Sequence, residues 1–444
     1  MAAWLVALAL LATGDIAGEL EQAVQNGKVP RSRVGILVGR PGQPAFALAA
    51  DRARIPASNQ KIITAATALL RLGADYRFET RIVKLPGGHL GVIGGGDPNL
   101  SGRFFDGDAS TVLRHLARQV KAKGVEEITG DLVLDASRFD GVTIHPGWPS
   151  DQLDRWYCAP VAALIYNDSC WDVTVQPGTG LGATARVEWR PTLLRPRLQN
   201  NCDTVASSKQ HVVHIGRTAE SDLLVRGGIL STSAGIEKSV PVHEPVMFFG
   251  RAFRAALESE GVRVAGQTRV GAATGGETLT VFRSGLGRTI KVALTNSQNL
   301  YSECLFRIQG KGSFESAAQA VRKTLVAEDV SVEGLVVSDG SGLARANKVT
   351  PRTIFEILTR MDENTAFIEG LAAGGEGTLR RRFRALGERV RLKTGTLRGV
   401  SALSGYVTDA GGKVWIMSVL CETGDRGSAI RLQNSVVAVL ARQP

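Results

Sequence analysis

The stretch "PASNQKIITAATALL" (residues 56–70) puts Ser58 at position i and Lys61 at i+3, then continues as an otherwise apolar helical pattern. Residues so spaced share one face of a helix. A neutral Lys61 amine there could take the Ser58 proton. A helix N-terminus is electropositive, and partial burial beside another cation lowers a lysine's pKa. A helix cap followed by a solvated lysine has the same spelling, so the motif alone does not decide. It is, however, the one Ser-x-x-Lys in the chain.

Two further motifs also occur once each. "LTNSQNLYSECLF" supplies Ser297-Gln298-Asn299, the one Ser-x-Asn, and "RLKTGTLRGVSAL" supplies Lys393-Thr394-Gly395-Thr396, the one Lys-Thr-Gly, at the start of a strand pattern. A hydroxyl nucleophile needs a base, donors for an oxyanion and groups that hold the substrate. Three such motifs in this order carry far more weight than any one of them.

The trio resembles that of the penicillin-binding proteins and β-lactamases. More narrowly, the chain resembles the D-alanyl-D-alanine carboxypeptidase/endopeptidase branch of active-site serine D,D-peptidases, which carries large insertions between its first two motifs. Serines at 58 and 297 lie further apart than a compact β-lactamase would hold. "GGGDPNL" (94–100), "YCAPVAALIYN" (157–167), "DGSGLARAN" (339–347) and "GGEGTLRRRF" (374–383) match that branch too, so the resemblance runs from about residue 20 to the C-terminus. Gln298 departs from the aspartate most often expected there.

The resemblance implies an acyl-enzyme on Ser58 with Lys61 as activating base. Ser297 would relay a proton to the leaving amine, and Asn299 would bond a substrate amide. Lys393 would keep the field positive, Thr394 would help bind the substrate's terminal carboxylate, and Gly395 and Thr396 would be further substrate-binding residues. The backbone N–H groups of Ser58 and Thr396 would form the oxyanion hole. Arg382 is a weaker candidate for support near that carboxylate. Implied partners are peptidoglycan peptides ending in D-Ala-D-Ala, and β-lactams as covalent inhibitors; neither metal nor organic cofactor is implied. The competing readings are a β-lactamase or esterase on the same fold, or a wall-binding protein that does not catalyse.

The remaining pattern gives the fold class. Residues 33–51 read as a hairpin, 110–124 and "EPVMFFGRAFRAALESEG" (244–261) as helices, and the tail as two apolar strands around Asp409–Gly412 followed by a helix over 426–442. Strands at both ends with helices between them indicate an α+β fold. The expectation is a β-lactamase/D,D-peptidase-like catalytic domain, an antiparallel sheet flanked by helices, formed by 19–75 and 286–444. An inserted, mostly β accessory region of two nested subdomains would occupy 76–285. "VIGGGDPNL" lacks the ending of a phosphate loop and is expected to be a tight turn.

The chain has 444 residues, 43% of them hydrophobic and 21% charged, as in ordinary globular proteins. Its net charge of +11 suits an acidic partner. Dispersed Lys and Arg without interleaved aromatics argue against nucleic acid, and Arg380–Arg382 with Arg384 reads as a solvated basic face. Residues 1–18, "MAAWLVALALLATGDIAG", have an apolar core and small residues like a signal segment but lack a positive start. Export to the periplasm or cell envelope is expected, with at most peripheral membrane or wall association. Five cysteines leave room for one disulfide among Cys158, Cys170 and Cys202, whereas Cys304 and Cys421 read as small buried side chains. His211 and His214 would alternate to opposite faces of a strand, which argues against a metal site.

Overall fold

The computed structural model describes residues 16–444, so the expected signal segment 1–18 lies outside the described residues apart from 16–18, which open a helix. Contacts divide the chain into two compact units. One runs to Tyr76 and resumes over Leu286–Gly310 and Phe314–Pro444; the other is Arg77–Gly285 with Lys311–Ser313.

The first unit is built on strands β1 (Val34–Arg40), β2 (Gln43–Leu48), β3 (Ala372–Ala373), β4 (Val390–Leu397), β5 (Val400–Thr408) and β6 (Val414–Cys421). They form one sheet in the order β3-β4-β5-β6-β1-β2, antiparallel throughout. Its helices are α1 (Ile16–Asn26), α2 (Gln60–Leu72), α3 (Leu286–Thr295), α4 (Asn299–Arg307), α5 (Phe314–Ala327), α6 (Pro351–Arg360) and α7 (Arg426–Ala441).

Strands β1, β5 and β6 are buried almost end to end because helices cover both faces of the sheet. On one face Val34, Ile36, Val38, Leu403, Val407, Met417 and Val419 share a core with Leu20 and Val24 of α1 and Leu432, Val436 and Leu440 of α7. Burying each such side chain contributes roughly 1.5–3 kcal/mol. The alternate positions turn to the other face, where Tyr406 Oη donates to the Leu358 carbonyl of α6 at 2.7 Å. Helix α2 is apolar along Ile62, Ile63, Ala65, Ala66 and Leu69, and ends where Gly73 adopts a φ of +80°. Its preceding turn, Ala57–Asn59, packs on β4 and β5 and sets Ser58 against the sheet.

In the second unit a five-stranded sheet runs in the order Thr268–Val270, Leu132–Asp135, Leu90–Ile93, Arg77–Lys84, Glu277–Gly285. Helices Ser110–Ala122 and Pro245–Ser259 share a core with it and with two three-stranded sheets. Phe248 anchors this core, 5.0 Å from the Trp171 ring and 5.7 Å from Tyr166.

Two expectations are corrected here. The 94–100 segment is a buried crossing rather than a simple tight turn: a Cβ on Gly94 would lie 2.4 Å from the Ala163 carbonyl, and one on Gly95 2.2 Å from that of Glu79. Asp97 and Asn99 are fully buried there, with Asp97 accepting from the Asn99 amide and from Ser284 Oγ at 2.8 Å. The disulfide among Cys158, Cys170 and Cys202 is also absent; each is a buried free thiol on a different element. Burial pushes the Cys158 thiol up to about 12, which keeps it protonated and unreactive.

Because Leu403 is fully buried between the sheet and α7, Leu403→Ala is expected to cost ~2–5 kcal/mol of stability. A urea titration followed by circular dichroism checks this; an unchanged midpoint would remove the α7 face from the core.

Candidate active site

The site starts from a buried cation. Lys61 is 1% exposed in an apolar helix, and its Nζ donates to three acceptors: Ser58 Oγ at 3.2 Å, Asn299 Oδ1 at 2.7 Å and the Ser341 carbonyl at 2.6 Å. Burial lowers its pKa from the usual 10.5 to about 7, although Asp339 and Glu303 oppose the shift. That displacement corresponds to a cost of roughly 5 kcal/mol for holding the ammonium there. Near neutral pH the amine is therefore available as a proton acceptor beside the Ser58 hydroxyl.

Lys393 comes to the same place from β4. It is fully buried, and its Nζ donates to Ser297 Oγ at 2.8 Å and to the Thr394 carbonyl at 2.9 Å. Burial, then repulsion from Lys61, hold its pKa well below the usual lysine range.

The backbone is fixed around these groups. Asn59 Nδ2 donates to the Lys393 carbonyl and its Oδ1 accepts from Ser404 Oγ, both at 2.8 Å. Strand β4 passes so close to the Ser58 turn that a Cβ on Gly395 would sit 2.7 Å from the Pro56 carbonyl. Ala57 and Ser297 adopt left-handed backbone, with φ of 47° and 58°. Such conformations cost about 1–3 kcal/mol each and persist where surrounding structure imposes them.

The "DGSGLARAN" segment forms the remaining wall. Asp339 accepts from the Gly342 and Ala344 amides, both at 2.7 Å, and from Asn347 Nδ2 at 2.8 Å. Glu303, one helical turn after Asn299, accepts from the Gly340 and Ser341 amides. Burial, then the nearby Asp339, raise the Glu303 pKa, while the Ser341 and Gly340 donors and Lys61 oppose the rise.

Ser58, Lys61, Ser297, Asn299 and Lys393 are thereby brought together. Asn299, expected to bond substrate, uses its Oδ1 on Lys61. Thr394 and Thr396 pair with Leu403 and Ser401 and alternate away from Lys393. Strand β3 pairs β4 only at Arg391 and Leu392, so beyond them this edge has no strand partner among the described residues. Arg382 is not joined to the lysine cluster: it donates to Asn434 Oδ1 at 2.7 Å and Gln433 Oε1 at 3.3 Å on α7. Burial and Arg426 lower its pKa to about 10. It reaches β5 through Gln433, whose Nε2 donates to Ser401 Oγ at 3.1 Å. Sequence reading missed Asn59, Glu303, Asp339 and the Ser341 carbonyl as parts of the site. Glu303 was within reach, since it follows Asn299 at i+4 on the same helix face.

An antiparallel sheet flanked by helices, with a serine–lysine pair at one edge, defines a serine peptidase of the penicillin-recognising class. Residues 16–443 match the D-Ala-D-Ala carboxypeptidase 3 (S13) family, and the chain belongs to it. It is 30% identical over 463 aligned positions to a D-alanyl-D-alanine carboxypeptidase of Actinomadura sp. (strain R39), covering 96% of this chain and 84% of that one. Among solved structures, penicillin binding protein 4 of Haemophilus influenzae superposes with a TM-score of 0.80 at 22% identity, covering 95% of this chain and 99% of that chain. The same protein complexed with a β-lactam gives 0.75 at 22% identity, with 96% and 99% covered. The chain is accordingly a serine-type D-Ala-D-Ala carboxypeptidase, a hydrolase with the α+β fold of that class.

The Lys61 environment sets a pH dependence. Below about 7 the amine carries its proton and cannot accept another, so the acylation rate should rise with pH through a midpoint near 7 and then level off. Stopped-flow acylation by a chromogenic cephalosporin from pH 5 to 9 checks it; a flat profile would remove the neutral amine from the step. Gly395→Ala, which forces β4 away from the Ser58 turn, should slow the same reaction by ~100-fold or more while the protein stays folded.

Proposed function

We propose that the chain releases the terminal D-alanine from peptidoglycan stem peptides through an acyl-enzyme on Ser58. The observation that carries this reading is the buried Lys61 amine 3.2 Å from Ser58 Oγ, where burial lowers its pKa to about 7. As Oγ attacks the carbonyl carbon of the penultimate D-alanine, Lys61 takes the hydroxyl proton. The oxyanion then forms between the backbone N–H groups of Ser58 and Thr396, each such donor being worth ~2.7–4 kcal/mol.

Collapse of the tetrahedral intermediate breaks the C–N bond. The leaving amine takes a proton relayed through Ser297, which Lys393 contacts at 2.8 Å. Water then attacks the ester and regenerates Ser58. The unpartnered stretch of β4 offers main-chain groups to an extended peptide, in the manner of an added strand. Thr394 and Thr396 receive the terminal carboxylate, with Arg382 behind them through Gln433 and Ser401.

The same chemistry cleaves a cross-bridge when the departing amine belongs to a second peptide, so endopeptidase action is included in the reading. A β-lactam acylates Ser58 likewise, and its opened ring keeps the amine tethered. The substrate places the protein outside the cytoplasm. Among the described residues no helix is long and apolar enough to cross a membrane.

Intact-protein mass spectrometry after benzylpenicillin treatment tests the nucleophile. Wild type should gain one adduct, Ser58→Ala none, and only wild type should release D-alanine from a peptide ending in D-Ala-D-Ala. Fast nitrocefin turnover without a lasting adduct would favour a β-lactamase instead. Muropeptide binding with no adduct at all would favour a wall-binding protein.

A further inference from the structure

We propose that Glu303 is a positioning residue for this reaction: it clamps the Gly340–Ser341 backbone so that the Ser341 carbonyl aims the Lys61 amine at Ser58, and its charge stabilises the Lys61 ammonium. The inference rests on the reading of Lys61 as the base.

Three successive peptide groups in this loop are held by buried side chains. Glu303 Oε2 accepts the Gly340 N–H at 3.0 Å and Oε1 accepts that of Ser341 at 2.8 Å. Thr64 Oγ1, from the helix that carries Lys61, donates to the Gly340 carbonyl at 2.7 Å. Asp339 Oδ1 takes the Gly342 N–H at 2.7 Å, which leaves the carbonyl of that same peptide, Ser341 O, directed at Lys61 Nζ at 2.6 Å. The loop also abuts the nucleophile's backbone, since a Cβ on Gly342 would lie 1.8 Å from the Ala57 carbonyl. A displacement of this loop is therefore passed to the base and to the turn before the nucleophile together.

Glu303 is itself 0% exposed, and its hydrogen bonds all come from the Gly340–Ser341 segment. A buried carboxyl is expensive to ionise unless hydrogen-bonded and faced by a cation. Both of its oxygens accept amide N–H groups, and those donors together with Lys61 favour its ionised form, which burial and Asp339 oppose. The charged groups around Lys61 are Glu303 from α4, Asp339 from the loop and Lys393 from β4. The two carboxylates favour the Lys61 ammonium and the second lysine opposes it.

Glu303→Gln keeps the shape but turns one acceptor into a donor facing an N–H, and removes one negative charge. Acylation by benzylpenicillin at pH 8 should slow at least tenfold, and the midpoint of the acid limb should move to lower pH. Thr64→Val removes a bond to the same loop and no charge; it should slow acylation and leave the midpoint in place. A Glu303→Gln protein with wild-type rate and midpoint overturns the proposal. So does one that is slower with an unmoved midpoint, which marks a packing defect. If Glu303→Gln shows no cooperative melting transition, Thr64→Val decides, and a wild-type rate there overturns the proposal. Lys61→Met separates the two readings: should it still acylate, Lys61 is not the base and the reading of the reaction fails independently of Glu303.

Discussion

The placement of the Lys61 amine constrains everything around it. An ammonium buried in this apolar helix still costs roughly 5 kcal/mol in its surroundings, although its three acceptors are drawn from three parts of the chain: Ser58 on the preceding turn, Asn299 on α4 and the Ser341 carbonyl. Each acceptor must itself be held, which accounts for the second ring of contacts. Asn59 ties the turn to β4 and β5, and Asp339 with Glu303 ties down the loop. The apolar packing of Ile62, Ile63 and Leu69 on α2 supplies free energy of the same order as the lysine's desolvation. A reactive base is thus made by packing rather than by exposure.

Distances in such a site have to be fixed by backbone, because long side chains alone leave too much freedom. The structure does this with close approaches that only glycine permits, Gly395 against the Pro56 carbonyl and Gly342 against that of Ala57. It also holds Ala57 and Ser297 in left-handed conformations. The strain sits immediately before one motif serine and on the other. Rigidity at Ser58 and Ser297 leaves Lys61 and Lys393, each bonded to one of those hydroxyls, as the groups whose charge can change. Their mutual repulsion means that a negative substrate group arriving beside one lysine alters the proton affinity of both.

The sequence carried the site's chemistry more clearly than its supports. That Ser58, Lys61, Ser297, Asn299 and Lys393 belong together could be read because motif order and uniqueness do not depend on knowing the fold, and the structure brings them within hydrogen-bonding reach. The α+β class was legible from apolar runs at both chain ends, since β1, β5 and β6 are buried on both faces and read as continuous apolar stretches. The roles of Asn59, Glu303 and the Ser341 carbonyl were not, because each acts through a backbone group that a sequence does not place. Arg382, read from sequence as a weaker candidate for support near the carboxylate, bonds two amide oxygens on α7 and reaches β5 through Gln433, a path that a sequence does not place. The disulfide expectation failed for a related reason: cysteine spacing says nothing about which elements carry the thiols.

Motif order also bears on how the site assembles. Ser58 and Lys61 precede the long segment between Tyr76 and Leu286, and Ser297 and Asn299 follow it, so the Lys61–Asn299 bond joins residues far apart in sequence. Closing a long loop costs only ~0.6 kcal/mol for each doubling of its length, provided its ends meet without strain. Here they do: the Leu286 N–H donates to the Tyr76 carbonyl at 3.0 Å, so the first unit continues as if the intervening residues were a short connection. Helices α2, α3 and α4 then pack on one another within the first unit, and it is the 339–347 loop, bonded to Lys61 through the Ser341 carbonyl, whose shift reaches the amine directly.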